Sequence, residues 1–255
     1  MTNGIPRQPV MLFEILTLFP ALFEGVFSDS ILRRAVEKGL VSIHIDDIRT
    51  YSQDPRHRTV DDYLYGGEPG MLLKAQPVVD AIKAARQRLA DGAPKVVFLS
   101  PQGERLTQGV VEELLEERSL ILVCGRYKGI DQRVRDAYVD RELSIGDFVL
   151  SGGEIPAMAL IDAVTRLIPG VLGDRESAEA DSFYKGLLSS AHYTRPEVFE
   201  GMRVPEVLLS GHHEKIKQWR REQAQERTRR LRPDIWEAYC RREAESNGSA
   251  GDGRV

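Results

Sequence analysis

The stretch LSIGDFVLSGGEIPAM, residues 143–158, runs from an apolar strand pattern through glycines and a proline into a helical pattern. Residues 143–151 read as a buried strand, and the helical pattern begins at Ile155. Glycine has no side chain, so it lets backbone amides and carbonyls approach a bound molecule closely. We therefore interpret this strand end as a pocket wall built mainly of backbone.

Strand and helix patterns alternate on the N-terminal side of this stretch. Strand patterns cover residues 12–20, 41–48, 95–101 and 119–125. Helical patterns cover residues 21–39, 75–92, 107–117, 129–139 and 155–168. Strands that alternate with helices predict the α/β fold class, with a mainly parallel sheet.

Three predicted strand ends run into loops that contain glycine: FLSPQGE at 98–104, LVCGRYKGID at 122–131, and the stretch from residue 143. In parallel sheets, ligands bind outside the carboxyl ends of the strands. Three such loops can form one pocket of main-chain donors and acceptors, which suits a purine and a ribose. Taken singly, each of these motifs is also typical of an ordinary turn.

Composition and motifs narrow the class of protein. The chain has 255 residues, 42% hydrophobic and 29% charged, which is typical of globular proteins of one or two domains. It shows no secretory signal and no membrane span, so we expect a cytoplasmic protein without a membrane partner. Cys124 and Cys240 predict neither a disulfide framework nor a metal site. The chain lacks G-x-G-x-x-G, Walker, H-E-x-x-H and paired C-x-x-C motifs, which argues against a standard dinucleotide or NTP enzyme.

The formal net charge is −4, but positive charge is concentrated near the C-terminus. Residues 213–233 contain eight Lys or Arg and three Glu, with Trp219 among them. This segment favours binding to a phosphate backbone, and a solvated helix face is the alternative. The composition also predicts a linker at 174–188, a smaller helical domain at 189–245, and a disordered tail at 246–255.

Four motifs carry a resemblance to a known family: GRYKGID, SIGDFVLSGGE, AEADSF, and HYTRPEVFEGMRVPEVLLSGHH. Together they resemble the bacterial tRNA (guanine-37-N1)-methyltransferases, the TrmD family of the SPOUT superfamily. The resemblance extends from about Leu16 to Trp236.

The resemblance implies a SPOUT-type cofactor domain over residues 1–173 with a C-terminal trefoil knot, a helical domain that binds tRNA, and a homodimer. It implies methyl transfer from S-adenosylmethionine to N1 of guanine 37, next to the anticodon. The cofactor-binding residues implied by the family pattern are Leu99, Ser100, Pro101, Gly103, Gly125, Tyr127, Ser144, Ile145, Gly146, Asp147, Phe148, Val149, Leu150, Gly152, Gly153 and Pro156.

The same resemblance assigns the chemistry to Asp181 as general base and to Arg166 as the cation that stabilises charge on guanine O6. The expected RNA-binding residues are His192, Tyr193, Arg195, Arg220, Arg221, Arg229 and Arg230. No metal-ligand spacing is visible, and a magnesium requirement stays open.

Five residues depart from the family pattern, and two of them, Tyr63 and Leu64, stand where a small residue and a proline are more common. Glu68 stands where a third glycine is usual, Lys128 where Glu is usual, and Lys185 where acids are frequent. We expect the Lys128 ammonium to turn toward water or RNA phosphate rather than toward the cofactor. Two other functions stay open: a knotted methyltransferase with another RNA target, and a catalytically silent RNA-binding adaptor.

Overall fold

The computed structural model describes residues 9–89, 92–173 and 181–249. The described residues form two compact units, one that ends at Gly173 and one that begins at Asp181. The two units differ in their secondary structure. The first contains the parallel sheet, and the second contains the long polar helices.

The first unit is built on a five-stranded parallel sheet, which confirms the predicted fold class. The strand order is β2-β1-β6-β5-β7. A separate antiparallel hairpin, β3–β4, was not predicted, because its strands are only three residues long. The strands are β1 Met11–Thr17, β2 Val41–Asp47, β3 Asp61–Tyr63, β4 Met71–Leu73, β5 Lys95–Arg105, β6 Ser119–Cys124 and β7 Arg141–Ser144.

Helices cover both faces of this sheet. They are α1 Glu24–Phe27, α2 Ser30–Glu37, α3 Ala75–Arg88, α4 Gln108–Leu115, α5 Gln132–Tyr138 and α6 Glu154–Leu167, with 3-10 turns at Pro20–Phe23 and Ile48–Tyr51. Side chains of α2, α4 and α6 pack on one face of the sheet, and those of α3 and α5 pack on the other. The central strand β6 is buried along its whole length, as its continuous apolar sequence predicts.

The structure corrects several sequence predictions in this unit. The strand predicted over residues 12–20 ends at Thr17, and the strand predicted over residues 95–101 continues to Arg105, through the predicted glycine loop. The strand predicted over residues 143–151 ends at Ser144, where the Ser144 hydroxyl accepts from the Gly146 amide at 3.2 Å and donates to the Gly146 carbonyl at 3.1 Å. These bonds, with Gly146 at φ +151°, turn the chain away from the sheet. The single helix predicted over residues 21–39 is divided into three short helices, because Asp29 caps a new helix at Ser30.

The second unit begins without helix. A two-stranded hairpin, β8 Val198–Phe199 with β9 Met202–Arg203, precedes α7 Glu206–Leu209, α8 His213–Leu231 and α9 Pro233–Ser249. The region predicted as helical from residue 189 is therefore helical only from residue 206. The Thr228 hydroxyl of α8 accepts from the Leu188 amide at 2.8 Å, which attaches the non-helical segment to this helix.

Two further boundaries fall in the second unit. Residues 174–180 of the predicted linker lie outside the described residues, and residues 181–188 form turns. The tail was predicted to be disordered from residue 246, but α9 continues to Ser249. Residues 250–255 lie outside the described residues. Within the described ranges, no helix has the length and apolar character needed to cross a membrane.

Candidate functional site

A cleft lies beyond the ends of β6 and β7, beside residues 98–102 of β5, where β5 is irregular in its pairing with β7. Its volume is about 780 Å³ including the opening to solvent. The lining combines backbone and apolar side chains with a few polar groups, which is typical of a small-molecule or cofactor site. The three glycine loops therefore form one cleft.

Fourteen of the sixteen residues predicted to bind the cofactor line this cleft. The other two, Gly103 and Asp147, lie outside the lining. A Cβ on Gly103 would stand 2.5 Å from the backbone of Glu142, so this glycine allows β5 and β7 to approach each other. The Asp147 carboxylate forms an exposed ion pair with Arg105 at 3.0 Å.

Backbone contact between two of the loops shapes the cleft wall. The Gly153 amide donates to the Gly125 carbonyl at 3.0 Å. A Cβ on Gly153 would stand 2.9 Å from the Cα of Cys124, closer than real side chains come. The glycine pattern of SGGE is thus required by the packing of one loop on another, which the sequence alone did not specify.

A buried ion pair supports the same wall from behind. Glu154 is 1% exposed, accepts from the Thr17 hydroxyl at 2.8 Å and pairs with Arg126 at 3.0 Å. A second guanidinium nitrogen of Arg126 donates to the Ser151 carbonyl at 3.2 Å. Burial, with the Glu154 charge as a smaller cause, raises the pKa of the neighbouring Cys124 thiol well above its usual value. That thiol therefore stays protonated and unreactive.

Seven lining residues were missed by sequence reasoning: Phe98, Gln102, Arg126, Gly129, Arg135, Leu143 and Ser151. Lys128, which the sequence analysis singled out as a departure from the family pattern, also lines the cleft. Most of the missed residues neighbour predicted residues in the same loops, so extending each motif by a residue or two would have found them. Arg135 is different, because it comes from α5 and reaches the cleft only through tertiary packing. Its guanidinium bonds to Glu142 and to Gln102, each at 2.7 Å.

Tyr127 connects the cleft to the β3–β4 hairpin. Desolvation by burial raises the pKa of the Tyr127 hydroxyl, and the negative charge of Asp61 on β3 raises it further. The Lys128 amide also donates to the Met71 carbonyl at 3.1 Å, and the Leu73 amide donates to the Gly129 carbonyl at 3.1 Å. The hairpin is therefore attached to one of the cleft loops by backbone bonds.

The two predicted catalytic residues are not part of the cleft lining. Arg166 is exposed in the last turn of α6, ten residues after the cleft residue Pro156. That separation corresponds to about 15 Å along the helix axis. Asp181 is exposed and begins the described part of the second unit.

The second unit has a pocket of its own, which brings together His192, Tyr193, Arg195 and Arg220 of the predicted RNA-binding residues. The Tyr193 ring lies 6.5 Å from the Trp219 ring. The other three predicted residues, Arg221, Arg229 and Arg230, lie on α8 outside this pocket, and Arg229 pairs with Glu226 at 2.7 Å. Within the part of the chain that the structure describes, no three His, Cys, Asp or Glu side chains form a metal-binding group.

A parallel α/β domain with a glycine-lined cleft at the carboxyl ends of its strands defines a class of enzymes that bind a nucleotide-like cofactor. Comparison with known families identifies the family within this class. The family model for tRNA (Guanine-1)-methyltransferase TrmD matches residues 11–238, so the chain belongs to the TrmD family.

Similar proteins carry the same name in several bacteria. A tRNA (guanine-N(1)-)-methyltransferase of Shewanella amazonensis is 55% identical over 227 residues, 89% of this chain and 90% of the relative. The relative from Moorella thermoacetica is 53% identical, over 88% of this chain and 90% of its own length. The relative from Anoxybacillus flavithermus is 50% identical, over 90% and 93%.

Proposed function

We propose that this chain transfers a methyl group from S-adenosylmethionine to N1 of guanine 37 in tRNA, next to the anticodon. Membership of the TrmD family makes the chain a tRNA (guanine-1)-methyltransferase. The assignment of the cofactor and of the target guanine goes further. It is supported by the three glycine-bearing segments, which meet in one backbone-lined cleft. We place the protein in the cytoplasm, where tRNA is its substrate.

The cleft fits the proposed cofactor in its chemistry. Leu99, Pro101 and Pro156 offer apolar surface for an adenine ring, and Ser100 and Gln102 offer polar atoms for its ribose and amino acid groups. When bound there, S-adenosylmethionine supplies an electrophilic methyl group on a positively charged sulfur.

The residues of this chain must then make guanine N1 nucleophilic, because that nitrogen carries a proton. Asp181 would accept the proton, which is the work of a general base within hydrogen-bond reach. Negative charge then grows on guanine O6, and the Arg166 guanidinium would stabilise it. Asp181 and Arg166 are exposed and lie outside the cleft lining. They can act on the guanine only if the complete site is assembled when the RNA binds.

A homodimer would supply the missing part of the site. Arg166 lies about 15 Å along α6 from the cleft residue Pro156, so a second copy is a more direct source of catalytic groups. Exposed apolar side chains in and next to the cleft lining support the dimer: Phe148 is 53% exposed, Val149 88% and Ile155 56%. These side chains would be covered by the second copy.

We also propose that the chain forms the SPOUT trefoil knot in the C-terminal part of the first unit. What supports this is the path of residues 145–153, which leave β7, seat Gly153 on the backbone of Gly125, and continue into α6. The isolated bridge between Arg126 and Gly152 holds the two segments together. We assign residues 1–173 to cofactor binding, 174–188 to the linker and 189–245 to tRNA binding.

A mixing experiment tests the site, the base and the dimer together. Asp181→Asn removes the proposed base, and we expect methyl transfer to fall by roughly 10²- to 10⁴-fold with unchanged cofactor affinity. Ile145→Trp fills the cleft and abolishes cofactor binding. The two inactive variants are mixed, unfolded and refolded together, and bulk tRNA is digested and analysed by mass spectrometry for 1-methylguanine.

If Asp181 serves the cleft of the other copy, the mixed dimer contains one complete site and recovers part of the wild-type activity. No recovery would place Asp181 and the cleft in the same chain. Full activity of Asp181→Asn alone would remove Asp181 from the mechanism. A methylated uridine or ribose in the wild-type digest would indicate another RNA target, and an unmodified digest would indicate a silent adaptor. Repeating the assay with EDTA decides the magnesium requirement.

A further inference from the structure

The charges around the cleft are unusual for a site that binds a cation. Among the described residues that line it, three are positively charged, Arg126, Lys128 and Arg135, and none is a carboxylate. The proposed cofactor carries a sulfonium, an ammonium and a carboxylate, so its net charge is +1. Like charges repel more strongly in a partly desolvated cleft than in water, so these three cations need neutralisation.

Each of the three cations is paired with a carboxylate that is not part of the lining. Arg126 pairs with Glu154 at 3.0 Å, and Arg135 pairs with Glu142 at 2.7 Å. The side chains in these two pairs are at most 22% exposed, so both pairs are fixed parts of the first unit. The positive charges of Arg126 and Arg135 are therefore always compensated.

The third cation has a different kind of partner. The Lys128 ammonium lies 3.7 Å from Glu68, which belongs to the loop between β3 and β4. The lysine stem packs over Gly70, where an added Cβ would stand 3.3 Å from both Cγ and Cε of Lys128. The ammonium is thus directed toward the hairpin loop. The two side chains are 50% and 64% exposed, so this pair is the one that can be broken.

We propose that Glu68 is a specificity-determining residue for the cofactor, because it neutralises Lys128 and so lets the cleft accept the sulfonium. This inference rests on the proposed function, since it requires S-adenosylmethionine in this cleft. The demethylated product, S-adenosylhomocysteine, has no sulfonium charge and should be insensitive to Glu68. The ratio of the two affinities therefore measures the effect directly, without any catalytic readout.

Calorimetric titration of both ligands into four proteins tests the proposal: wild type, Glu68→Gln, Lys128→Gln and the double variant. We expect Glu68→Gln to weaken binding of S-adenosylmethionine about three- to tenfold relative to S-adenosylhomocysteine, and the effect to shrink at high salt. In the Lys128→Gln background the same Glu68 substitution should have no effect on the ratio.

The matched control is Asp62→Asn, which breaks the pair of Asp62 with Lys74 on the same hairpin, also at 3.7 Å and also exposed. This variant should leave the affinity ratio unchanged. An effect of Glu68→Gln that persists without Lys128, or an equal effect on both ligands, would overturn the proposal. Failure of the wild-type protein to bind either ligand would instead overturn the proposed function on which it rests.

Discussion

Glu154 is a charged residue at the N-terminus of α6, and it is almost completely buried. A carboxylate in this position is retained only when its charge is compensated, and here Arg126 and the Thr17 hydroxyl supply the compensation. The three residues come from α6, from the loop after β6 and from β1. The network therefore fastens the cleft wall at Ser151 to strand β1 and to the loop after β6.

We expect Glu154→Gln to lower the free energy of unfolding by about 3 kcal/mol, because the substitution leaves the mostly buried Arg126 charge without a counter-charge. Urea denaturation followed by circular dichroism measures the change. Glu197→Gln is the matched control, since its pair with Arg203 is exposed and should contribute less than about 1 kcal/mol. Equal losses in the two variants would contradict the role assigned to burial.

At the scale of elements, α5 shows how one short helix contributes to the site. Asp131 caps this helix by accepting from the Arg133 amide at 2.9 Å, and its carboxylate also pairs with the Arg133 guanidinium at 2.8 Å. The side-chain hydrogen bond from Arg133 is the main cause that lowers the Asp131 pKa. Because α5 places Arg135 in the cleft lining, the cap helps to position a residue of the site.

We expect Asp131→Ala to lower the free energy of unfolding by about 1 kcal/mol at neutral pH, the usual effect of removing an N-cap. The pKa of this carboxyl is lower in the folded protein than its ordinary value of 3.8. Its charge therefore stabilises the fold above that value, and this part is lost as the pH falls through the folded pKa.

Urea denaturation of Asp131→Ala and of wild type, at neutral pH and near pH 3, measures this loss. The matched variant Asp131→Asn keeps a capping oxygen and removes only the charge. It should therefore show a smaller loss at neutral pH, and the difference between Asn and wild type should become smaller as the pH falls. A difference that grows in acid would contradict the direction of the pKa shift.

At the scale of the whole molecule, positive charge is concentrated on helix α8, which carries seven Lys or Arg and three Glu, even though the chain is acidic overall. Helix α8 carries Arg220, Arg221 and Arg230 as exposed residues, and Arg220 also lines the pocket that contains Tyr193. Arg229 differs, because its guanidinium is paired with Glu226 on the same helix. This distinction sets which arginines should contribute most to phosphate binding.

We expect the combined change of Arg220, Arg221 and Arg230 to Gln to weaken tRNA binding and to reduce the slope of log K against log salt by about one for each lost phosphate contact. Fluorescence anisotropy with labelled tRNA at several salt concentrations measures both quantities. Arg229→Gln is the control and should change the slope less, while cofactor affinity should be unchanged in all variants. An unaltered slope in the triple variant would assign α8 to a solvated surface.

The sequence determined the features that depend on local pattern. The apolar run of β6 indicated a strand buried on both faces, the glycine loops indicated a backbone-lined cleft, and the order of motifs identified the family. The resemblance to that family implied fourteen of the residues that line the cleft. Strands and glycine loops are readable because hydrophobic period and glycine geometry act over short stretches of chain.

The tertiary structure decided what depends on residues far apart in the chain. The strand order and the place of Arg135 in the lining follow from packing between distant segments. The ion pair between Glu68 and Lys128 also depends on tertiary structure. These two departures from the family pattern are sixty residues apart in the sequence, where nothing relates them. A charge pair depends on distance in space, and only the fold sets that distance.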